Sequence, residues 1–289
     1  MALPSPEDIR LIISDVDGTL LTSNHEIHPR TLNAFAKLRA ARPDLPIVIA
    51  SGKQYHSCAL LRKALNLPDH FPSVHCNGAL IHGGPNGTEV CGTLTPESVL
   101  HIVNGTTSYG TFIFTEDSVT MISGGTGIHK QDWCTIAGKY DFDTVDKSQE
   151  PERSVFLQKI ASGEIAITKV TVCIDIVELE DALSNLNALA NSSAQQFKVT
   201  RAIPWILEAI PPDVSKGRGL SQLCKSLNIS PKQVLAFGDG ENDISMFKVA
   251  GHPVAMGNSM PAAAAVALYV TDSNDEGGVG GFIEKVWGF

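Results

Sequence analysis

Short, unbroken apolar runs near both ends of the chain alternate with segments whose apolar residues recur at helical spacing. Ile9 to Ile13 is a β-branched and leucine-rich run that predicts a buried strand, stopping at Asp15-Val16-Asp17-Gly18-Thr19. From Arg30 to Arg42, Leu32, Phe35, Ala36, Leu38 and Arg39 fall at helical spacing. The stretch "LPIVIASGK" predicts a second buried strand, Tyr55 to Leu67 a helix, and "PSVHCNGALI" a third strand. This β-α-β-α-β order predicts a parallel sheet with helices on both faces. The same texture returns late: a helix from Lys216 to Leu227, a strand in "QVLAFGDG", a short helix in "NDISMFKVA", strands in "HPVAMGN" and "ALYVTDS", and a last helix ending at Trp287.

The segment between these parts has a different pattern. "TEVCGTL", "TFIFTEDSVTMIS", "ITKVTVCIDIV", "FKVTRAI" and "PWILEAI" read as strands, with helical spacing near Glu97, Val155 and Leu183. Strands adjacent in sequence predict a mainly antiparallel sheet with helices on one face. The joints "HGGPNG" and "IPPDVSKG" are rich in Gly and Pro, as linkers are. The fold class expected is therefore α/β: a Rossmann-like core from residues 1–82 and 211–289, with an α+β insert at 83–210.

Charge and composition narrow the partners. The 289 residues hold 22 basic and 31 acidic side chains, a formal net charge of -9, without basic runs or stripes, which argues against a nucleic-acid or anionic-membrane ligand. The opening "MALPSPEDIR" lacks the basic and apolar blocks of a signal peptide, and "AAAAVALYV" is too short to span a bilayer, so the expectation is a cytoplasmic protein with a small-molecule partner. Six cysteines without any C-x-x-C pair read as small buried hydrophobes in a reducing compartment.

The strand ends carry the chemistry. A period of two turns Asp15 and Asp17 to one side and Val16 into the core, and two close carboxylates need a cation or a shared proton. Taken alone, that segment fits a solvated turn equally well. Open α/β sheets bind ligands beyond the carboxyl ends of their strands, and there the chain supplies Asp15 and Asp17, then Ser51-Gly52-Lys53, then Asn77-Gly78, then Asp239-Gly240-Glu241-Asn242-Asp243, with Lys216 opening a helix. All-oxygen carboxylates suit Mg²⁺, and a hydroxyl, adjacent backbone N–H groups and one lysine suit a phosphoryl group. "DSNDEG" imitates the start of a calcium loop but has Ile283 where a bidentate acid is required, and the histidines show no zinc spacing.

In order and content these motifs resemble the haloacid dehalogenase superfamily, and within it the Cof-type phosphatases with a large cap. "DVDGTLL", "ASGK", "VSKGRGL" and "GDGENDISMF" are similar to its four motifs, and the insert lies between the second and third, where the cap belongs. The resemblance implies Asp15 as the nucleophile that becomes an aspartyl phosphate and Asp17 as general acid, then base. It implies Ser51 and Lys216 as phosphoryl holders, Gly52, Asn77 and Asn242 as further phosphate or substrate contacts, and Asp15, Asp17, Asp239 and Asp243 as the Mg²⁺ site. Lys53 stands where members often have arginine and lacks its bidentate fork. The function implied is a magnesium-dependent phosphomonoester hydrolase acting on a small phosphorylated metabolite of the sugar-phosphate class, with the cap selecting the substrate. A phosphomutase of the same superfamily and a non-catalytic phosphometabolite-binding module remain alternatives, and the oligomeric state stays open.

Overall fold

A computed structural model describes residues 2–138, 144–192, 197–203 and 205–289. The chain opens with β1 (Leu11–Ser14), α1 (Pro29–Ala41), β2 (Ile47–Ile49), α2 (Ala59–Ala64), β3 (Ser73–His75), β4 (Leu80–Gly84) and β5 (Gly87–Val90). It continues through α3 (Pro96–Gly105), β6 (Gly110–Phe114), β7 (Val119–Gly124), α4 (Trp133–Gly138), β8 (Thr144–Asp146), α5 (Glu152–Ala161), β9 (Lys169–Cys173), α6 (Leu179–Ser192), β10 (Lys198–Ile203) and β11 (Ile206–Ile210). It closes with α7 (Lys216–Ser226), β12 (Val234–Gly238), α8 (Ile244–Phe247), β13 (His252–Ala255), α9 (Pro261–Ala264), β14 (Tyr269–Val270) and α10 (Gly278–Trp287). Two compact units result: Met1–Cys91 with Ser215–Phe289, and Gly92–Val214.

The first unit is built on a parallel sheet in the order β14-β13-β12-β1-β2. Its strands β1, β2 and β12 are buried on both faces, which is why they read as continuous apolar runs rather than alternating ones. Successive residues of β1 serve opposite layers: Ile12 joins Phe35 and Leu38 of α1 and Phe282 and Ile283 of α10, while Leu11 and Ile13 join Leu220 and Leu223 of α7 and Phe247 of α8. Of the helical apolar set in α1, Phe35 and Leu38 are buried and Ala36 is exposed.

"PSVHCNGALI" is not one strand. Cys76 and Asn77 take left-handed backbone (φ 49° and 57°) and Gly78 has φ 100°, so the chain reverses after β3 and returns as β4, antiparallel to it. β3 touches the core sheet through the Ala50–Val74 bridge, and with β4 and β5 it forms a separate sheet. Because "TEVCGTL" begins in β5, paired to β4, the first unit runs through Cys91, past the boundary expected at residue 82.

In the second unit, the sheet order is β10-β11-β9-β6-β7-β8, antiparallel except for the β7–β8 pair. One face meets α3, α5 and α6 through Val99, Ile102, Phe156 and Leu186; Phe112, Phe114, Trp133 and Cys173 form a separate apolar cluster. Lys169 and Glu208 form a buried ion pair (2.5 Å), with the Lys169 ammonium over the Phe114 ring. Among the described residues no helix is long and apolar enough to cross a membrane, and none of the six cysteines is in a disulfide.

Candidate active site

β1 lies between β12 and β2, so the carboxyl ends of three neighbouring strands deliver Asp15, Asp239 and Ser51 to one edge of the sheet. The Asp15 amide donates to the Phe237 carbonyl (3.0 Å), continuing the ladder one residue past β1 and fixing the acid beside the β12 loop. Ser215 caps α7 by accepting from the Arg218 amide (3.1 Å), and this places Lys216 at the first position of the helix. Lys216 is 1% exposed; its ammonium donates to Asp15 Oδ1 (2.5 Å) and to Asp243 Oδ1 (2.7 Å).

Carboxylate oxygens of Asp15, Asp239 and Asp243 lie within 4.8 Å of one another. Asp243 Oδ2 accepts the amides of Asp239 and Gly240 (3.0 Å each), so this buried acid also folds the loop that carries Asp239. Thr19 Oγ1 donates to Asp239 Oδ1 (2.9 Å). Gly18 (φ 76°) passes so close that a Cβ there would stand 2.3 Å from Asp239 Oδ2, which accounts for glycine in the loop after β1.

Three acids face one ammonium. Burial pushes the Asp15 carboxyl well up from the usual range, and Asp243 adds to this, while Lys216 opposes it. Asp239 is raised in the same way, chiefly by burial. Burial alone would depress the Lys216 ammonium, but Asp15 and Asp243 outweigh it and hold it charged. A buried group with surplus negative charge and only oxygen donors fits a hard divalent cation. Asp15 and Asp239 would hold such a cation directly, with Asp243 beside them.

Asp17 stands apart from this group. β1 ends at Ser14, and the Val16 carbonyl accepts from the amides of Thr19, Leu20 and Leu21, so the chain coils immediately instead of continuing the strand alternation. Val16 is buried as expected, but Asp17 is exposed and its Oδ1 takes the Lys53 ammonium at 2.9 Å. Ser51 (1% exposed) accepts the Lys53 amide on Oγ (3.1 Å), and its own amide donates to the Val74 carbonyl (2.9 Å). The Asn77 amide donates to the Ser51 carbonyl (3.1 Å), and a Cβ on Gly52 would come within 3.2 Å of Asn77 Oδ1, so Ser51, Gly52 and Asn77 form one packed corner. Asn242 is exposed beside Asp243.

Sequence reasoning missed two supporting residues. Thr19 lies inside the first motif and could have been found as a hydroxyl four residues beyond Asp15. His75 carried no spacing signal; it is fully buried, and its Nδ1 lies 3.1 Å from the Lys53 carbonyl, which also accepts the Cys76 amide. Since a carbonyl only accepts, Nδ1 carries the proton.

A family model for haloacid dehalogenase-like hydrolases matches residues 12–283. An uncharacterized hydrolase of Schizosaccharomyces pombe is 33% identical over 293 residues, covering 99% of this chain and 93% of its own. A 5-amino-6-(5-phospho-D-ribitylamino)uracil phosphatase of Bacillus subtilis is 25% identical over 278 residues, covering 95% and 96%. The crystal structure of a haloacid dehalogenase-like hydrolase from Bacteroides thetaiotaomicron superposes with a TM-score of 0.78 at 26% identity, over 96% of this chain and 99% of that one. The chain belongs to the haloacid dehalogenase-like hydrolases, in their Cof-type branch, and is a phosphatase.

Proposed function

We propose that the protein is a magnesium-dependent phosphomonoester hydrolase that works through an aspartyl phosphate on Asp15 and acts on a small metabolite of the sugar-phosphate class. The observation that carries this reading is the buried Asp15 carboxylate on the Lys216 ammonium, with Asp239 and Asp243 alongside. Mg²⁺ held there would offset the charge that otherwise keeps an anionic nucleophile from a phosphate dianion.

An Asp15 oxygen attacks phosphorus as the bond to the ester oxygen breaks. Lys216 and the Ser51 corner hold the phosphoryl oxygens. Asp17, exposed and set apart from the cation site, protonates the leaving oxygen; it then takes a proton from the water that hydrolyses the acyl phosphate, releasing phosphate and restoring Asp15. Two acids in two environments thus take two tasks. The ribityl phosphate in the name of the Bacillus relative supports a hydroxylated substrate.

Hydrolysis of a phosphate-ester panel is expected with Mg²⁺ and not in excess chelator. Asp15→Asn should lose turnover while keeping its far-UV circular dichroism, and acid quenching during turnover should leave phosphate on the peptide that contains Asp15. Phosphate on Ser51 instead, or an active Asp15→Asn, would refute the assignment.

A further inference from the structure

Lys53 is tied down on both sides of its backbone. Its amide donates to Ser51 Oγ (3.1 Å), and its carbonyl accepts from the Cys76 amide and from His75 Nδ1 (3.1 Å each). The Lys53 ammonium then reaches the Asp17 carboxylate (2.9 Å). A continuous set of polar contacts thus runs from the buried end of β3 to an exposed acid in the loop after β1. The phosphoryl and cation chemistry uses neither His75 nor the Lys53 backbone.

A histidine is a costly way to fill this position. The ring is fully buried and its Nε2 meets no partner among the described residues, so an apolar side chain would pack there without an orphan nitrogen. What an apolar side chain lacks is the Nδ1 proton. The ring that carries it is held in one orientation: Tyr55 and His82 meet it edge-on, with ring centres 5.6 and 5.7 Å away, and Tyr55 stacks on His82 at 4.5 Å. The groups facing it are Tyr55 and His56 ahead of α2, Arg62 within α2, and His82 of β4. Burial first, then His82, Arg62 and His56, keep the imidazole uncharged against the pull of the bond to Lys53.

We infer that His75 is a positioning residue for protonation of the leaving group: by fixing the Lys53 carbonyl it fixes the ammonium that holds Asp17 in place. His75 touches no reacting atom. A lysine on an unfixed backbone would swing on its flexible stem and carry the acid with it, and a general acid works only within hydrogen-bond reach of the oxygen it protonates.

This rests on the reading of Asp17 above. An alkoxide leaves phosphorus only with a proton, whereas p-nitrophenolate is stable without one, so a displaced acid penalises alkyl esters selectively. The quantity kcat/KM reports that first transfer and not the later hydrolysis of the acyl phosphate, in which Asp17 serves both esters alike. The readout is the ratio of kcat/KM for sorbitol 6-phosphate to that for p-nitrophenyl phosphate, in which any loss of folded enzyme cancels. Asp17→Asn should lower this ratio by ~10²-fold or more, and His75→Phe by about tenfold. His75→Asn, which keeps an N–H for the carbonyl, should hold the wild-type ratio. Lys53→Met should lower it as His75→Phe does, and the double variant no further, since both residues act along one path. A ratio unmoved in His75→Phe or in Lys53→Met, an equal loss in His75→Asn, or additive losses in the double variant overturns the positioning role alone; Lys53→Met keeps the test available should the buried substitution not fold. A ratio unmoved in Asp17→Asn overturns the acid assignment and this role with it. A wild type that hydrolyses neither ester overturns the phosphatase reading itself.

Discussion

His75 has no partner for Nε2 and no exposure, and burial pushes its imidazole down to about 3. The unfolded chain binds a proton on this residue below about pH 6.5 that the folded chain refuses. Its contribution to stability is therefore fully present above pH 6.5 and is lost as pH falls towards 3, by something on the order of a few kcal/mol. Asp15 and Asp239, raised in the fold, act in the opposite sense, so the comparison must be with a variant. In His75→Asn the amide nitrogen can still donate to the Lys53 carbonyl but does not titrate. Urea midpoints between pH 7 and 4 should fall less steeply in His75→Asn than in the wild type; parallel profiles would show that His75 charges freely in the fold. The carboxylates at strand ends were legible because their spacing follows a motif. Asp17 was misplaced because strand alternation was extended beyond Ser14, where the backbone already coils.

At the scale of elements, the turn at Cys76-Asn77-Gly78 decides where the Ser51 corner sits. Asn-Gly is a turn signal, but it lay inside an apolar stretch that read as one strand, and burial of Val74 and Leu80 on both sides hid the reversal. Gly78 has φ 100°, and a Cβ there would stand 2.1 Å from the Ser215 carbonyl oxygen, immediately before Lys216. Gly78→Ala should therefore lower stability by roughly 1–3 kcal/mol, the cost of a strained non-glycine backbone, and lower kcat by displacing Lys216. Gly124→Ala, with nothing within 4 Å of the added carbon, serves as control and should change the urea midpoint little. Equal effects from the two substitutions would show that contact with Ser215 is unimportant. The parallel strands and the α7 and α10 helices were readable, because burial on both faces and helical spacing leave strong patterns; short hairpins held by left-handed residues leave weak ones.

At the scale of the molecule, two units with separate apolar cores share one chain. The insertion was legible from the change in strand pattern, but its edge was not, because β5 pairs with β4 through backbone hydrogen bonds that side-chain pattern does not record. Among the described residues, the acids that gather as a candidate cation site, Asp15, Asp239 and Asp243, lie in the first unit. A ligand that binds only the folded state stabilises it by RT ln(1 + [L]/Kd), about 2.7 kcal/mol at a hundredfold excess over Kd. Mg²⁺ should therefore delay unfolding of the first unit while leaving the second unchanged. Hydrogen exchange can read the two separately: protection should rise with Mg²⁺ in β1, β12 and α7, and stay constant in β6, β9 and α6. Asp239→Asn removes one carboxylate charge while leaving the Lys216 contacts in place, so it should reduce that gain. An equal gain in both units would mean that they unfold as one cooperative body, and no gain in the wild type at millimolar Mg²⁺ would count against the three acids as the metal site.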